Sequence, residues 1–386
     1  MNNLFEYLSW RGDIPFEAVG PVNADFAVFC SLSYIPFETI VGTRASGRFI
    51  ALGDAAGKVL EKADNGKDKV VFHLPDDREL LRVIIASPRF SRIRIGYYLE
   101  IFNTDRQEQF CAMTFILPTG DMVVAFRGTD GTIIGWKEDF NMGFMDTLPS
   151  QTDAVEYLKT LAKARSGNLY LCGHSKGGNL AMYAAAFSDG AVQDRIIAIR
   201  SLDGPGFKKQ VIASAGFRNV SRKIITFMPQ YSIVGLILEH TEKSVTVHSF
   251  AKGLKQHDIY SWEICGSDFV KSEELSKSSV LANKAINSWI TDMSDESRRK
   301  LTDGLFEIVE SAQVDTLEEL FEAKNLIAVR KNYGRLDSET KALLSETGRI
   351  FMNSVRRKSK KKNVRKSRQQ GESKSAGSDK RGFVEE

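Results

Sequence analysis

Cysteine is scarce in this chain of 386 residues: Cys30, Cys111, Cys172 and Cys265 are its only four, widely scattered and with no Cys-x-x-Cys pair. Such spacing excludes a disulfide framework. There is also no His-Glu-x-x-His and no Cys/His cluster, so no metal signature is present. Cys30, Cys111 and Cys172 lie in apolar segments, as reduced buried thiols do. Long apolar runs are absent too: the longest stay under about ten residues, well short of the ~20 that span a bilayer. The start, Met1-Asn2-Asn3-Leu4-Phe5-Glu6-Tyr7-Leu8, has no basic stretch followed by an apolar one, so no secretory leader is expected and a cytoplasmic location is the expectation. No internal repeat, P-loop or Gly-x-Gly-x-x-Gly after a strand is found, which argues against solenoids and implies no nucleotide or other cofactor.

What is present has the balance of a soluble globular chain, 42% hydrophobic and 26% charged. The net charge of +4 conceals an asymmetry: Val355 to Glu386 holds twelve Lys/Arg against four Asp/Glu, a net +8, which leaves −4 for the rest. Poor in apolar residues, this tail is expected to be disordered. Its run Arg356-Arg357-Lys358-Ser359-Lys360-Lys361-Lys362 gains electrostatic affinity for anionic surfaces. No aromatic interleaving or nucleic-acid module accompanies the run. Contact with an anionic membrane is therefore the expectation it carries, and nucleic acid is set aside.

Residues 1 to about 90 mix short apolar segments with Gly-bearing turns, and Asp25 to Tyr34 reads as a helix ended by Pro36. Tyr97–Phe102, Gln109–Leu117 and Met122–Phe126 are rich in β-branched and aromatic residues. The turn Pro118-Thr119-Gly120-Asp121 makes a hairpin of the last two. Strands and helices then alternate: helix over Asp153–Ala164, strand over Asn168–Cys172, helix over Asn179–Phe187, and strands at Ile196–Leu202, Lys223–Phe227 and Ser244–Phe250. The alternation predicts an α/β fold with a mostly parallel central sheet. Beyond about Ser267 the strands are expected to stop. Leu301, Leu305, Ile308, Val309 and Ala312 share one helical face, Thr316-Leu317-Glu318-Glu319 has the capping-box form, and Asp337–Val355 reads as a further helix. The expected organisation is an α/β domain over 1–266, a helical extension over 267–354, and a disordered basic tail over 355–386.

Gly173-His174-Ser175-Lys176-Gly177 fits Gly-x-Ser-x-Gly, between an apolar strand and an Ala-rich helix. That strand–turn–helix setting is the nucleophile elbow of α/β-hydrolases. The turn strains the serine backbone and needs small neighbours, which Gly173, Gly177 and Gly178 supply. The helix N-terminus then favours developing negative charge near the Ser175 hydroxyl. His174 is expected to point away from Ser175 as a packing residue.

Upstream, Val123-Val124-Ala125-Phe126-Arg127-Gly128-Thr129-Asp130, followed by Trp136 and Asp139, resembles the oxyanion strand of class 3 (fungal-type) lipases. The resemblance implies that Thr129 helps form the oxyanion hole, with the backbone N–H of Lys176 as second donor. Tyr7-Leu8-Ser9-Trp10-Arg11-Gly12-Asp13, the elbow through Ala181, Asp203-Gly204-Pro205-Gly206-Phe207 and Gln256-His257-Asp258 together resemble a group of poorly characterised bacterial lipase-like hydrolases over Leu4 to Trp262. That group supplies no substrate.

The chain order Ser…Asp/Glu…His required by this fold removes His73 and His174 of the five histidines. His248 sits in an alternating strand and His240 remains open. His257, in a loop after the last strand, is where the resemblance puts the catalytic base. For the acid, class 3 lipases place Asp in a segment that matches Tyr231-Ser232-Ile233-Val234-Gly235, where this chain has Ser232. Asp203, after Ile196–Leu202, is the alternative: some pancreatic-type lipases carry the acid one strand earlier. Asp203 as a mere cap of the Gly204-Pro205-Gly206 turn stays open, and Asp258 adjoins His257 too closely in sequence to face it. Ile233–Leu238 reads as core, acyl pocket or lid. The expected function is a serine esterase or lipase acting on acyl esters through Ser175, His257 and Asp203. The alternative is a catalytically silent fold used for binding or as a scaffold, at a membrane surface if the tail recruits it.

Overall fold

The computed structural model describes residues 2–65, 72, 74, 76–276, 279–280, 293–310, 330, 333–346 and 349. His73, the capping-box segment 316–319, much of the expected extension and the whole basic tail 355–386 lie outside the described residues.

The strand-rich stretch forms most of a nine-stranded sheet. Short β1 (Gly42–Thr43) and β2 (Phe49–Ala51) flank β3 (Arg94–Asn103). Next come β4 (Glu108–Ile116) and β5 (Met122–Phe126), antiparallel through the predicted hairpin, whose turn closes with Gly120 at φ +87°. From β5 onward every neighbour is parallel: β6 (Leu169–His174), β7 (Ile196–Leu202), β8 (Ile224–Pro229) and β9 (Lys243–Val247). The fold is thus mixed α/β with a largely parallel central sheet. Strand structure runs slightly past the expected stop at Ser267, since β10 (Ile264–Cys265) and β11 (Asp268–Phe269) form a hairpin. The chain just after it donates from Ser272 N–H to the Thr246 carbonyl at 2.9 Å, covering the β9 edge.

Both faces of the sheet are covered, as side-chain alternation along β5 shows: Val123 and Ala125 enter one apolar core, Met122, Val124 and Phe126 the other. The first core is closed by α1 (Leu4–Arg11), α2 (Asn23–Leu32), α3 (Leu52–Asn65) and α4 (Asp77–Ala86). Of these only α2 was foreseen. The reading of Gly-bearing turns missed α3 because Gly53 and Gly57 interrupt it, although Leu52, Ala55, Ala56 and Val59 form a buried stripe at helical spacing. The N-terminal elements are fastened by a fully buried ion pair, Arg89 to Asp25 at 2.6 Å, with Tyr7 donating to the same carboxylate.

The second core lies under α6 (Pro149–Ala164) and α7 (Lys176–Phe187), with α8 (Gly190–Arg195) and α10 (Ala215–Val220) beside the short α9 (Lys209–Ile212). An unforeseen helix, α5 (Ile133–Asn141), follows β5; Thr132 caps it by accepting from the Gly135 N–H at 3.2 Å. The predicted amphipathic helix is α11 (Asp295–Glu310), whose Phe306 packs edge-on against Phe140 of α5 and beside Ile133. Among the described residues no helix is long and apolar enough to cross a membrane. All four cysteines are free, and Cys265 alone is exposed.

Candidate active site

The residues singled out in the sequence collect at one edge of the sheet. Thr129, Ser175, Asp203, Ser232 and His257 follow the carboxyl ends of β5, β6, β7, β8 and β9, five adjacent parallel strands. Open α/β sheets bind ligands at that end of their strands.

Ser175 occupies the sharp turn between β6 and α7 with φ +57° and ψ −132°, a conformation that costs a non-glycine residue on the order of 1–3 kcal/mol. The turn is held by Ser175 N–H donating to the Leu202 carbonyl and Gly178 N–H to the Ser175 carbonyl, each 2.9 Å. Any Cβ on Gly173 would overlap the Gly177 carbonyl and any Cβ on Gly177 the Phe126 carbonyl, so the first glycine of the motif is required by the turn's own backbone and the last by the end of β5. Gly128 is packed as tightly. A Cβ there would lie 2.6 Å from the His174 carbonyl oxygen and 3.1 Å from the Ser175 Cβ, so the chain entering Thr129 runs directly against the elbow.

Asp203 leaves β7 with φ +50° and its side chain is almost fully buried. Its Oδ2 lies 2.6 Å from His257 Nδ1, and its Oδ1 accepts from the Ser232 hydroxyl at 2.5 Å. The two positions considered for an acid therefore converge on one carboxylate, with Ser232 as its hydrogen-bond donor. Asp258 turns elsewhere and caps Tyr260 N–H at 3.0 Å. The other candidate histidines have their own carboxylates: His240 Nδ1 is 2.6 Å from Glu242 and His248 Nδ1 2.6 Å from Glu263.

His174 does more than pack. Its Nε2 lies 2.8 Å from the His257 carbonyl and its Nδ1 2.9 Å from the Tyr34 hydroxyl. A carbonyl can only accept, so Nε2 carries the proton and Nδ1 accepts from Tyr34. The His174 and His257 rings stand 4.4 Å apart, so the residue before Ser175 braces the loop that carries His257. Sequence reasoning missed this, and it missed Tyr34 altogether; an aromatic hydroxyl at the end of α2 carries no local signal of its partner.

On the β5 side, the Thr129 hydroxyl donates to Asp139 Oδ2 at 2.6 Å. Burial pushes the Asp139 carboxyl up to about 6, against the opposing pull of the Lys176 charge and the Thr129 hydrogen bond. A carboxyl whose folded pKa is raised adds stability that is complete below its unfolded value near 3.8 and is lost as pH rises through about 6. Asp139→Asn removes that loss. Urea unfolding should show the variant gaining on the native chain by on the order of 2–3 kcal/mol between pH 4 and pH 7. A difference independent of pH would contradict the raised value.

Ile233–Leu238, read as core, pocket or lid, is not core: apart from the buried Gly235, its side chains are only half-buried, and a 3₁₀ turn at Val234–Leu236 carries it beside Asp203. Phe250 and the well-exposed Leu254 lie on the loop that leads to His257.

A strained serine turn and a half-buried His257 paired with the buried Asp203, at the carboxyl edge of a mixed α/β sheet, define the general class of architecture. More specifically, a family model described as Mbeg1-like matches residues 84–307, more than half of the chain, and the protein belongs to that family, a lipase-like one. The matched span contains Thr129, Asp139, Ser175, Asp203, Ser232 and His257 and ends within α11; Tyr34 lies outside it. No curated protein matches the chain.

Proposed function

We propose that the protein is a serine hydrolase of the α/β-hydrolase type that cleaves acyl esters through an acyl-enzyme. The observation that carries this reading is the pairing of His257 Nδ1 with the buried Asp203 at 2.6 Å, beside an elbow that holds Ser175 at φ +57°. In this reading Ser175 Oγ attacks the acyl carbonyl and His257 Nε2 takes its proton. Asp203 fixes the tautomer that leaves Nε2 free to accept, and stabilises the imidazolium that forms. The oxyanion is received by the backbone N–H of Lys176, the first residue of α7, and by Thr129. The single hydroxyl proton of Thr129 is already given to ionised Asp139, so Thr129 offers its backbone N–H. His257 then protonates the departing alcohol and activates the water that releases the acid. The half-buried Ile233, Val234, Leu236 and Ile237, on the segment that runs beside Asp203, supply apolar surface suited to an acyl group.

The test is a fluorophosphonate probe on the folded chain, with peptide mass spectrometry to locate the adduct. Labelling at Ser175 that disappears in Ser175→Ala, together with turnover on short- to long-chain esters, is the expected result. Equal labelling of both proteins sinks the proposal. Neither labelling nor turnover in the native chain favours the silent scaffold.

A further inference from the structure

Lys176 follows Ser175 in sequence, yet its side chain is buried. Its Nζ donates to the Gln109 carbonyl at 2.7 Å, to Gln109 Oε1 at 3.0 Å and to Glu138 Oε2 at 2.7 Å. All three ammonium protons are used. Glu138 is buried as well, and is equally well supplied: Oε2 accepts from the Gln109 N–H at 3.2 Å and Oε1 from the Ser150 N–H at 3.1 Å. A fully satisfied buried ion pair is seldom more stabilising than apolar side chains of the same shape, so stability is a weak reason to place one here.

Position gives a better reason. Glu138 and Asp139 are consecutive residues of α5, and each grips one residue of the proposed oxyanion site: Glu138 the Lys176 ammonium, Asp139 the Thr129 hydroxyl. Gln109 ties the same ammonium to β4, next to the strand that leads to Thr129. Lys176 is thereby anchored at both ends, its backbone by the elbow and its side chain by α5 and β4.

We propose that Glu138 is a positioning residue which, through its ion pair with Lys176, fixes the Lys176 N–H at the distance from Thr129 that the oxyanion requires. The inference rests on the serine-hydrolase reading. It extends that reading to α5, which contributes no atom to the reacting groups and holds both donors from behind.

The test replaces the whole pair, Glu138→Leu with Lys176→Met, so that no buried charge is left unpaired. On a chromogenic short-chain ester, kcat should fall about 100-fold while KM moves less than about threefold, because a donor displaced by a fraction of an ångström weakens only transition-state binding. Thermal unfolding should stay near that of the native chain. Glu138→Gln, which keeps the shape of the side chain and removes the charge that pairs with the Lys176 ammonium, should lower kcat about tenfold at unchanged KM. It serves as the deciding variant if the double replacement does not fold. Native kcat in whichever of these variants is folded, with the native chain itself active, overturns the positioning role alone. A native chain that neither turns over esters nor labels at Ser175 overturns the hydrolase reading and this inference with it.

Discussion

Ser175→Ala is expected to lower kcat for ester hydrolysis by about 10⁵- to 10⁶-fold, since loss of the nucleophile leaves only the binding and oxyanion contributions. The turn that projects the serine is built by hydrogen bonds to Leu202 and Gly178 and by glycines whose replacement collides with backbone. Alanine keeps the φ of +57° and its cost, so the variant should melt close to the native chain. Ser175→Gly should be equally inactive but more stable by about 1 kcal/mol, because glycine adopts positive φ without penalty. Burst kinetics with active-site titration, read beside thermal melts, distinguish the two effects. Activity of Ser175→Ala above a few per cent of native, an order-of-magnitude threshold far over the expected residue, would remove Ser175 from the chemistry.

Asp203→Asn should cost about 10⁴-fold in kcat with little change in fold. The reasoning turns on which atoms face the carboxylate. Ser232 donates its hydroxyl to Oδ1 and His257 presents Nδ1 to Oδ2. In the asparagine variant the amide oxygen keeps the Ser232 bond, so the amide NH₂ meets Nδ1. The imidazole must then carry its proton on Nε2, the atom that has to accept the proton of Ser175. Ser232→Ala leaves the carboxylate in place and removes one charge-assisted hydrogen bond, so its effect should stay near tenfold. If the two variants were equally impaired, Asp203 would be no more than a structural partner of Ser232. Proton NMR of the His257 ring gives an independent check, since it reports the tautomer directly.

Much of the site could be read from residues near one another in sequence. The elbow follows from steric rules over five residues, with glycines where any side chain would strike backbone, and the β4–β5 hairpin follows from a turn around Gly120 at φ +87°. Chain order left His240, His248 and His257 open, and the resemblance to lipases pointed to His257 in the loop after the last parallel strand. Helices α3 and α5 were not legible, because α3 carries two glycines and α5 begins in a polar turn, so neither presents a clean apolar period before its packing surface is known.

The carboxylate partner of His257 lay outside such reasoning. Ser232 and Asp203 were rival positions in the sequence, and they turn out to be hydrogen-bonded to each other across 29 residues, with His257 a further 54 residues from Asp203. The bracing of the His257 loop by His174 and the Lys176–Glu138 pair are of the same kind, spanning 83 and 38 residues.

The sequence by itself determined the strand–serine–helix turn, the order of serine and histidine, and the alternation that makes a largely parallel sheet, because backbone sterics and side-chain periodicity act over a few residues. Only the tertiary structure decided which carboxylate meets His257, what His174 holds and where the Lys176 charge is neutralised. Those contacts depend on which strands become neighbours and on burial that makes an unpaired polar group too costly to leave, and neither is a local property of the chain.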